Sequence, residues 1–240
     1  MFFASSNKTK IKDDNDFGLP YSSRVTEDIE EPMAGILFIA AYKALKAGEG
    51  AISEDTAMEV EGYDVGILIK YLEDDLNHCA GRRARSQVAL GVNYGNEIRV
   101  FFSEVTGIIG TKNIGEITYG FAGNFIPDKE FGGDGRSLHE IKMAGEKAIT
   151  SPRRRVVEDF LDNKSVLIIK GINENSQMEF DTWQKDVSDK ARDNLLRSSS
   201  GHFPAHIDYK RFPFDICTHP HLITPESALV KSPKRQAFHM

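Results

Sequence analysis

The order of apolar and polar positions along the chain predicts an α/β protein with two well-marked helices. Between residues 32 and 47 the apolar side chains recur at helical spacing, and Gly48 follows as a helix stop. A second helix is predicted from Ser151-Pro152-Arg153 to about residue 161, because Ser is a favoured N-cap residue and Pro fits the first helical position.

Strand signals lie between and around these helices. Residues 85–91 and 98–107 predict an antiparallel hairpin, since Asn93-Tyr94-Gly95-Asn96 between them is rich in residues that tolerate positive φ. The character of the sequence changes after Asn163, so we place a boundary between a first domain, residues 1–163, and a C-terminal extension, residues 164–240. Shorter elements are predicted as strands at residues 2–4, 51–53, 57–60, 121–127 and 165–170, and as helices at residues 65–76, 138–145 and 181–197.

Composition narrows the class of protein. The 240 residues carry a net charge of -6 and a sequence pI near 5.7, which argues against a general nucleic-acid binder. Only two cysteines occur, so no disulfide framework is expected, as in a reducing compartment. No stretch approaches the roughly 18 consecutive apolar residues of a membrane span, and the N-terminal residues lack the features of a signal peptide. We therefore expect a cytoplasmic protein with neither a nucleic-acid nor a membrane partner.

An acidic pair, Glu54-Asp55, interrupts the apolar segment from residue 51 to residue 60. Burying a carboxylate costs several kcal/mol unless a partner offsets the lost hydration, so a buried pair needs a cation nearby. Mg²⁺ is the natural candidate, because this hard ion takes one or two carboxylates and usually adds substrate phosphates. On this segment alone, a solvated turn between two short strands is the simpler explanation.

A second polar cluster, Ser5, Asn7 and Lys10, directly follows the first predicted strand. A strand that leads into small polar residues and a lysine can aim backbone N–H groups and an ammonium at a phosphate. The same residues also describe an ordinary polar turn, so this cluster alone is a weak signal.

Two more clusters combine charges with helix starts. Glu31 precedes the helix that carries Lys43, although a charge-paired helix face is the commoner explanation of such a pair. Lys147 and Arg153 flank the predicted helix start at Ser151, where a capped surface helix with basic residues is the alternative. Neither cluster indicates a function by itself.

Taken together, the four clusters resemble the inosine triphosphate pyrophosphatases, which hydrolyse non-standard purine nucleoside triphosphates. The resemblance covers roughly residues 1–162, and it is the order and spacing of the motifs that make it specific. The matching segments are Ser5-Ser6-Asn7-Lys8-Thr9-Lys10, Glu31 and Lys43 with their interval, Glu54-Asp55-Thr56, Arg82-Arg83-Ala84-Arg85, Gly107-Ile108-Ile109, Tyr119-Gly120-Phe121, and Glu146-Lys147 followed by Ser151-Pro152-Arg153.

The resemblance implies an α/β fold with a long twisted mixed sheet flanked by helices, two lobes with a central cleft, and usually a homodimer. It implies Mg²⁺-dependent hydrolysis of a (deoxy)nucleoside triphosphate to the monophosphate and pyrophosphate. Glu31 and Asp55 are implied as metal ligands, and Asp55 also as the group that positions or deprotonates the attacking water. Glu54, a third candidate ligand, and Lys43 are implied as further catalytic residues. The implied substrate-binding residues are Ser5, Asn7, Lys10, Tyr119, Phe121, Lys147, Ser151 and Arg153, with Tyr119 stacking on the base.

Two positions depart from the family pattern. The aspartate that follows the family's aromatic pair is Ala122 here, and the histidine between its serine and arginine is Pro152. Both family residues belong to the nucleobase pocket, so the departures predict a changed or broadened choice of base. Ser151-Pro152-Arg153-Arg154 also matches a motif of the Maf-like nucleotide pyrophosphatases, but in that family the motif follows the first strand, a place that residues 5–10 hold here.

Residues 164–240 have no counterpart in the family. Cys217, His219 and His221 lie close together in this segment, with His202 and His206 upstream, but their spacing matches no standard zinc module. A lid over the cleft and an added oligomer contact are both open for the extension. A second function class is open as well, namely a nucleotide-binding or interaction protein that kept the fold and lost or altered its catalysis.

Overall fold

The computed structural model describes residues 1–7, 10–12, 18–19, 21–26, 29, 35–61, 73–111, 120–145, 151–183, 185 and 215–218. These residues build one mixed sheet with helices on both faces. The strands are β1 (Phe2–Ser5), β2 (Ser22–Val25), β3 (Ala51–Val60), β4 (Arg83–Asn93), β5 (Glu97–Ile109), β6 (Phe125–Pro127), β7 (Leu167–Lys170) and β8 (Asp215–Thr218). The helices are α1 (Ile36–Ala47), α2 (Leu138–Met143) and α3 (Pro152–Leu161), with further helical residues at 10–12 and 176–183.

The sheet has the strand order β2-β1-β3-β4-β5-β7-β8, and β6 pairs with β5 outside this order. β1 runs parallel to both β2 and β3, whereas the pairs from β3 to β8 are antiparallel. The centre of the sheet is the long hairpin of β4 and β5, whose turn contains Gly95 at a φ of +91°. The α/β fold with a mixed sheet and the predicted hairpin are therefore confirmed.

Helix α1 is apolar on nearly all sides, and the fold buries it accordingly. Nine of its first ten residues are buried side chains, and the exception is Lys43. One side packs so closely on the sheet that a Cβ atom at Gly91 would lie 2.2 Å from the carbonyl oxygen of Ala40, so only glycine fits there. The helix ends at Gly48, whose φ of +95° suits a residue without a side chain. A helix of this kind needs packing partners on more than one face.

The core consists of three clusters of buried apolar side chains. The first lies on the α1 face of the sheet and includes Phe180 and Trp183 from the chain after residue 163. The second lies on the opposite face, where α3 packs with Val156 and Val157 against the sheet. The third lies at the far ends of β3, β4 and β5, around Phe125. The sheet is thus covered on both faces beside β3, which is the strand that carries the acidic pair.

Several predicted elements have different limits in the structure. Residues 54–56 do not form a solvated turn, because β3 is continuous from Ala51 to Val60 and its acidic pair is buried. The predicted strand at 121–127 begins instead as a 3₁₀ segment, Gly120–Gly123, and is extended only at Phe125–Pro127. In the helix predicted for 65–76, residues 65–72 lie outside the described residues, and Glu73–Cys79 is a 3₁₀ segment. The first helix begins only at Ile36, and most of the helix predicted for 181–197 lies outside the described residues.

The sheet continues past residue 163. β7 adds to the hairpin by pairing with β5, and β8 pairs in turn with β7. Residues 176–183 are helical and start earlier than the predicted position 181. None of the helices in the described ranges is long and apolar enough to cross a membrane.

Candidate active site

β3 carries Glu54 and Asp55 to opposite faces of the sheet. Successive side chains of a strand alternate between faces, so two adjacent acids cannot point the same way while the strand is regular. The strand is regular here, since Glu54 pairs with Leu90 and Asp55 with Ala89 of β4. Both acids are buried, with 4% and 5% of their surface exposed. Each therefore needs its own compensating cation.

Glu54 is held between two cations on the α3 face. Its Oε1 lies 3.1 Å from Lys10 Nζ and accepts a hydrogen bond of 3.1 Å from Arg153 Nη2, while Arg153 Nε donates to Oε2. The hydroxyl of Thr56 donates to Oε1 at 3.0 Å. Burial alone would raise the pKa of Glu54, but the charges and hydrogen bonds of Arg153 and Lys10 outweigh burial and lower this pKa from 4.5 to about 2. Glu54 is therefore ionised, and its charge is balanced by protein cations.

Lys10 reaches Glu54 from the turn that follows β1. Ser5 Oγ accepts a hydrogen bond from the Asn7 amide at 3.1 Å, and Asn7 Oδ1 accepts one from the Lys10 amide at 3.2 Å, as a helix N-cap does. β1 pairs with β3 only as far as Ile52, and Lys10 Nζ donates to the backbone carbonyl of Glu54 at 3.3 Å. Among the described residues of this turn, the side chains of Ser5 and Asn7 fix the backbone, and Lys10 links it to β3.

Arg153 reaches the same carboxylate from the start of α3. Ser151 is the N-cap, and its Oγ accepts a hydrogen bond from the Arg154 amide at 3.4 Å. Pro152 occupies the first helical position, so the arginine is the second residue of the helix. The predicted helix start is confirmed, and its geometry points Arg153 at a glutamate that lies 99 residues earlier in the chain.

Asp55 has its partner on the other face. Lys43 Nζ of α1 donates to Asp55 Oδ1 at 2.9 Å, and both side chains are largely buried. A second bond ties the same two elements together, since the Ser53 hydroxyl donates to the Ala40 carbonyl at 2.8 Å. Ser53 and Thr56 also form hydrogen bonds at this site, but they were not among the site residues predicted from the sequence. They could have been found from their hydroxyl groups, which directly flank the acidic pair in an apolar segment.

The residues around Glu54 and the residues around Asp55 lie at a topological switch point of the sheet. The connection from β1 to β2 places Ile11 on the α3 face, whereas the connection from β2 to β3 runs through α1 on the opposite face. In open α/β sheets, ligands bind outside the carboxyl ends of parallel strands where the connections diverge in this way. Ser5 ends β1 at this edge, which makes the region around Ser5, Glu54 and Asp55 the candidate active site.

Of the remaining predicted site residues, the structure describes only Phe121. Phe121 is partly buried and packs against the third cluster, with Phe125 and Phe131. Glu31, Tyr119 and Lys147 lie outside the described residues. The structure therefore brings Lys10 and Arg153 together at Glu54 and Lys43 to Asp55.

The donor set at this edge fits a magnesium ion only in part. Within the described ranges no three side chains of His, Cys, Asp or Glu converge as a metal site. Mg²⁺ needs fewer protein ligands than that, because it is commonly held by one or two carboxylates together with substrate phosphates. Asp55 pairs with one cation, Lys43, and can supply one such carboxylate, whereas Glu54 is already paired with two cations, Lys10 and Arg153. The fit therefore favours Asp55 over Glu54 as a ligand.

Comparison with known proteins identifies the family. The model of the Ham1 family matches residues 1–163. The chain belongs to the Ham1 family. This confirms the resemblance to the inosine triphosphate pyrophosphatases and, with it, the class of enzyme, a hydrolase of nucleoside triphosphates. A search of curated protein sequences gives no match.

Solved structures are similar to this chain, and the first of them, of a Ham1 protein, shows the same fold. The Ham1 protein of Staphylococcus aureus is 19% identical, with a TM-score of 0.51, and the match covers 68% of this chain and 100% of that one. A HAM1 protein from Coxiella burnetii is 14% identical, with a TM-score of 0.49 and coverage of 68% and 98%. A nucleoside-triphosphatase / dITP/XTP pyrophosphatase from Mycobacterium abscessus is 17% identical, with a TM-score of 0.44 and coverage of 68% and 96%.

Proposed function

We propose that this Ham1 family member hydrolyses a (deoxy)nucleoside triphosphate, of the non-standard purine type, to the nucleoside monophosphate and pyrophosphate. A water molecule attacks the α-phosphorus, the bond from that phosphorus to the bridging oxygen breaks, and pyrophosphate leaves with the bond's electron pair. The observation that carries the proposal is the buried Lys43–Asp55 pair, at 2.9 Å, beside the carboxyl end of β1. This pair can provide a carboxylate for the water and an ammonium for the phosphate chain.

Asp55 positions the attacking water and accepts its proton in this proposal. A carboxylate that lies against an ammonium stays ionised, which is the state that a proton acceptor requires. Lys43 would balance the charge that grows on the phosphate oxygens as the bond breaks, because a fixed cation in a buried site needs little reorganisation during the reaction. Holding water, carboxylate and phosphorus in line would add to the acceleration, because the reacting groups then meet without a search for the right orientation.

The turn after β1 is proposed to hold the phosphate chain. Ser5 and Asn7 would offer hydroxyl and amide groups, and Lys10 an ammonium. Glu54 is proposed to act indirectly, because it holds Lys10 and Arg153 in place by ion pairs. Its place in the proposal is thus electrostatic support of the binding residues, whereas Asp55 belongs to the reacting group.

A magnesium ion is part of the proposal. Asp55 and Glu31 would hold it, and the ion would neutralise charge on the triphosphate and orient the phosphates. Of these two ligands, only Asp55 lies within the described residues. Its carboxylate is the hard oxygen donor that Mg²⁺ prefers. The protein's residues would provide the remaining functions, which are binding of the phosphates and alignment of the water.

The base-binding part of the site is proposed to differ from that of the family. Tyr119 would stack on the base, with Phe121, Lys147, Ser151 and Arg153 around it. Ala122 and Pro152 replace an acid and an imidazole of the family pattern, which removes two polar groups that could select a purine. We therefore propose a changed or broadened base preference. The proposal further includes a homodimeric, cytoplasmic enzyme whose catalytic unit is residues 1–163.

The test is product analysis with a panel of triphosphates. The full chain is incubated with Mg²⁺ and with the triphosphates of inosine, xanthosine, deoxyinosine and the standard nucleosides, and monophosphate, pyrophosphate and orthophosphate are quantified. Equal amounts of monophosphate and pyrophosphate, abolished by chelation of the metal, support the proposal. Orthophosphate as the first product would contradict it, and binding of a triphosphate without turnover would favour the alternative function of a nucleotide-binding protein.

A further inference from the structure

The outer face of α1 is covered by chain that lies beyond the family match. The match ends at residue 163, and the helical residues 176–183 pack on α1 from outside the sheet. Trp183 lies against Phe38 with ring centroids 5.8 Å apart, and Phe180 lies against Tyr42 at 5.2 Å. An all-round apolar helix such as α1 needs this outer layer to stay buried.

One carboxylate at this contact binds two residues of α1. The Tyr42 hydroxyl donates to Asp181 Oδ1 at 2.8 Å, and Lys46 Nζ donates to Asp181 Oδ2 at 3.1 Å. Gln177 Nε2 donates to Oδ1 at 3.0 Å, so the carboxylate is itself oriented by its own helix. Tyr42 and Lys46 are four residues apart and therefore share one face of α1. A bond at each end of that stretch resists rotation of the helix about its axis.

Lys43 lies between these two anchors in the sequence and projects from another side of the helix, toward Asp55. A small rotation of α1 would move its ammonium away from the Asp55 carboxylate, because every side chain of a helix turns with the backbone. The Ser53–Ala40 bond holds the sheet side of the helix. Asp181 holds the outer side, so the two attachments together set the position of Lys43.

We propose that Asp181 is a positioning residue for the Lys43–Asp55 pair, acting through Tyr42 and Lys46 of α1. The inference rests on the proposed function for the role of that pair in turnover. It assigns a purpose to the start of the C-terminal extension: residues 164–183 complete the layer that locks α1. Displacement of a catalytic group by about 1 Å can cost up to roughly a hundredfold in rate, so a partial loosening has a measurable effect.

The first experiment compares two substitutions on the same helix. Asp181→Ala removes both anchors, and Glu179→Gln changes an exposed carboxylate two residues away. Per folded enzyme, Asp181→Ala is expected to lower kcat about tenfold with little change in KM, and Glu179→Gln to leave both unchanged. Asp181→Asn, which keeps an acceptor for Tyr42, is expected to recover part of the loss. An unchanged kcat in Asp181→Ala would overturn the inference; if that variant does not fold, Tyr42→Phe replaces it.

A double-mutant cycle separates positioning from general loosening. If Asp181 acts through Lys43, then Asp181→Ala lowers the residual turnover of Lys43→Met by much less than tenfold, because the group that it positions is gone. Equal, additive losses in the two backgrounds would contradict the inference. A merely structural role would give such additive losses.

A chemical readout tests the inference independently of catalysis. Lysines are acylated under limiting reagent and quantified by mass spectrometry, with Lys164, whose side chain is 62% exposed, as an internal reference. Lys43 is expected to react at least threefold faster in Asp181→Ala than in the native chain, relative to Lys164, because the ion pair that shields it is loosened. No change would overturn the inference. If the native chain lacks turnover, the proposed function fails, and this labelling still decides whether Asp181 positions Lys43.

Discussion

Glu54 and Asp55 are neighbours in sequence but point to opposite faces of the sheet, where each is bound by a different set of cations. Glu54 meets Lys10 and Arg153 on the α3 face, and Asp55 meets Lys43 on the α1 face. The acidic pair is therefore two sites joined through one strand. This separation assigns them different tasks in our account, since one acid organises binding residues and the other takes part in the reaction.

Removal of the Glu54 charge should destabilise the protein strongly. In Glu54→Gln the largely buried Lys10 and Arg153 lose their counter-charge, and loss of one partner of a buried ion pair typically costs roughly 3–5 kcal/mol in free energy of unfolding. Glu59→Gln is the matched control on the same strand, because its pair with Arg85 is about one-third exposed and exposed pairs contribute about 1 kcal/mol or less. Urea unfolding measures both variants. Equal free energies of unfolding for the two variants would show that the buried ion pairs of Glu54 stabilise the protein no more than the partly exposed Glu59–Arg85 pair.

Acid should lower the free energy of unfolding as the pH falls below the ordinary pKa of Glu54. Its pKa is 4.5 unperturbed and about 2 in the fold, so between these values the unfolded chain binds a proton that the folded chain does not. The contribution of Glu54 to stability is therefore complete above about pH 4.5 and is lost as the pH drops toward 2. Asp128 adds to the same trend, because hydrogen bonds from Arg83 and Thr106 lower its pKa from 3.8 to about 2.

The measurement is the free energy of unfolding in urea at a series of pH values between 6 and 2.5. The native chain is expected to lose stability continuously below about pH 4.5, and Glu54→Gln to show a shallower slope, because the contribution of Glu54 is absent. A flat profile for the native chain over this range would be incompatible with the depressed pKa values.

Much of the fold followed from local patterns in the sequence. The hairpin of β4 and β5, the stop at Gly48 and the start at Ser151 are each specified by a few neighbouring residues, and all three are confirmed. The continuity of β3 was missed, because two acids and a threonine look like a turn until distant partners are known. Those partners are Lys10, Lys43 and Arg153, and the last is 99 residues away from Glu54.

The candidate site could likewise be predicted only in part. The choice of Lys10, Lys43, Glu54, Asp55 and Arg153 came from motif order, whereas the division of these residues between two faces depends on strand alternation in an unbroken β3. The packing of residues 176–183 on α1 could not be predicted either, because it depends on a contact between segments about 140 residues apart. In the sequence, the apolar residues on both sides of Lys43 were the local signal that α1 is buried on more than one face.

The departures at Ala122 and Pro152 predict a changed base preference that substitution at these two positions should reverse. Ala122→Asp and Pro152→His restore the two family side chains, and together they should raise kcat/KM for inosine triphosphate relative to the standard purine triphosphates, because a base edge gains polar partners that discriminate between keto and amino groups. Competition assays with mixed triphosphates measure the ratio.

Ala122→Ser serves as a control that adds a hydroxyl without an acid. An unchanged ratio in the double variant, or an exclusive preference for inosine triphosphate in the native chain, would contradict the proposed role of these two positions.

The most direct test of the account is pyrophosphate release by Asp55→Asn with Mg²⁺, normalised to folded protein and compared with the native chain and with Glu59→Gln. Glu59 lies on the same strand and the same face as Asp55, so Glu59→Gln makes the same chemical change outside the proposed site. We expect Asp55→Asn to lose about a thousandfold or more in kcat per folded molecule, because an amide cannot accept the proton of the attacking water, and Glu59→Gln to turn over normally. Near-native pyrophosphate release by Asp55→Asn would contradict the account.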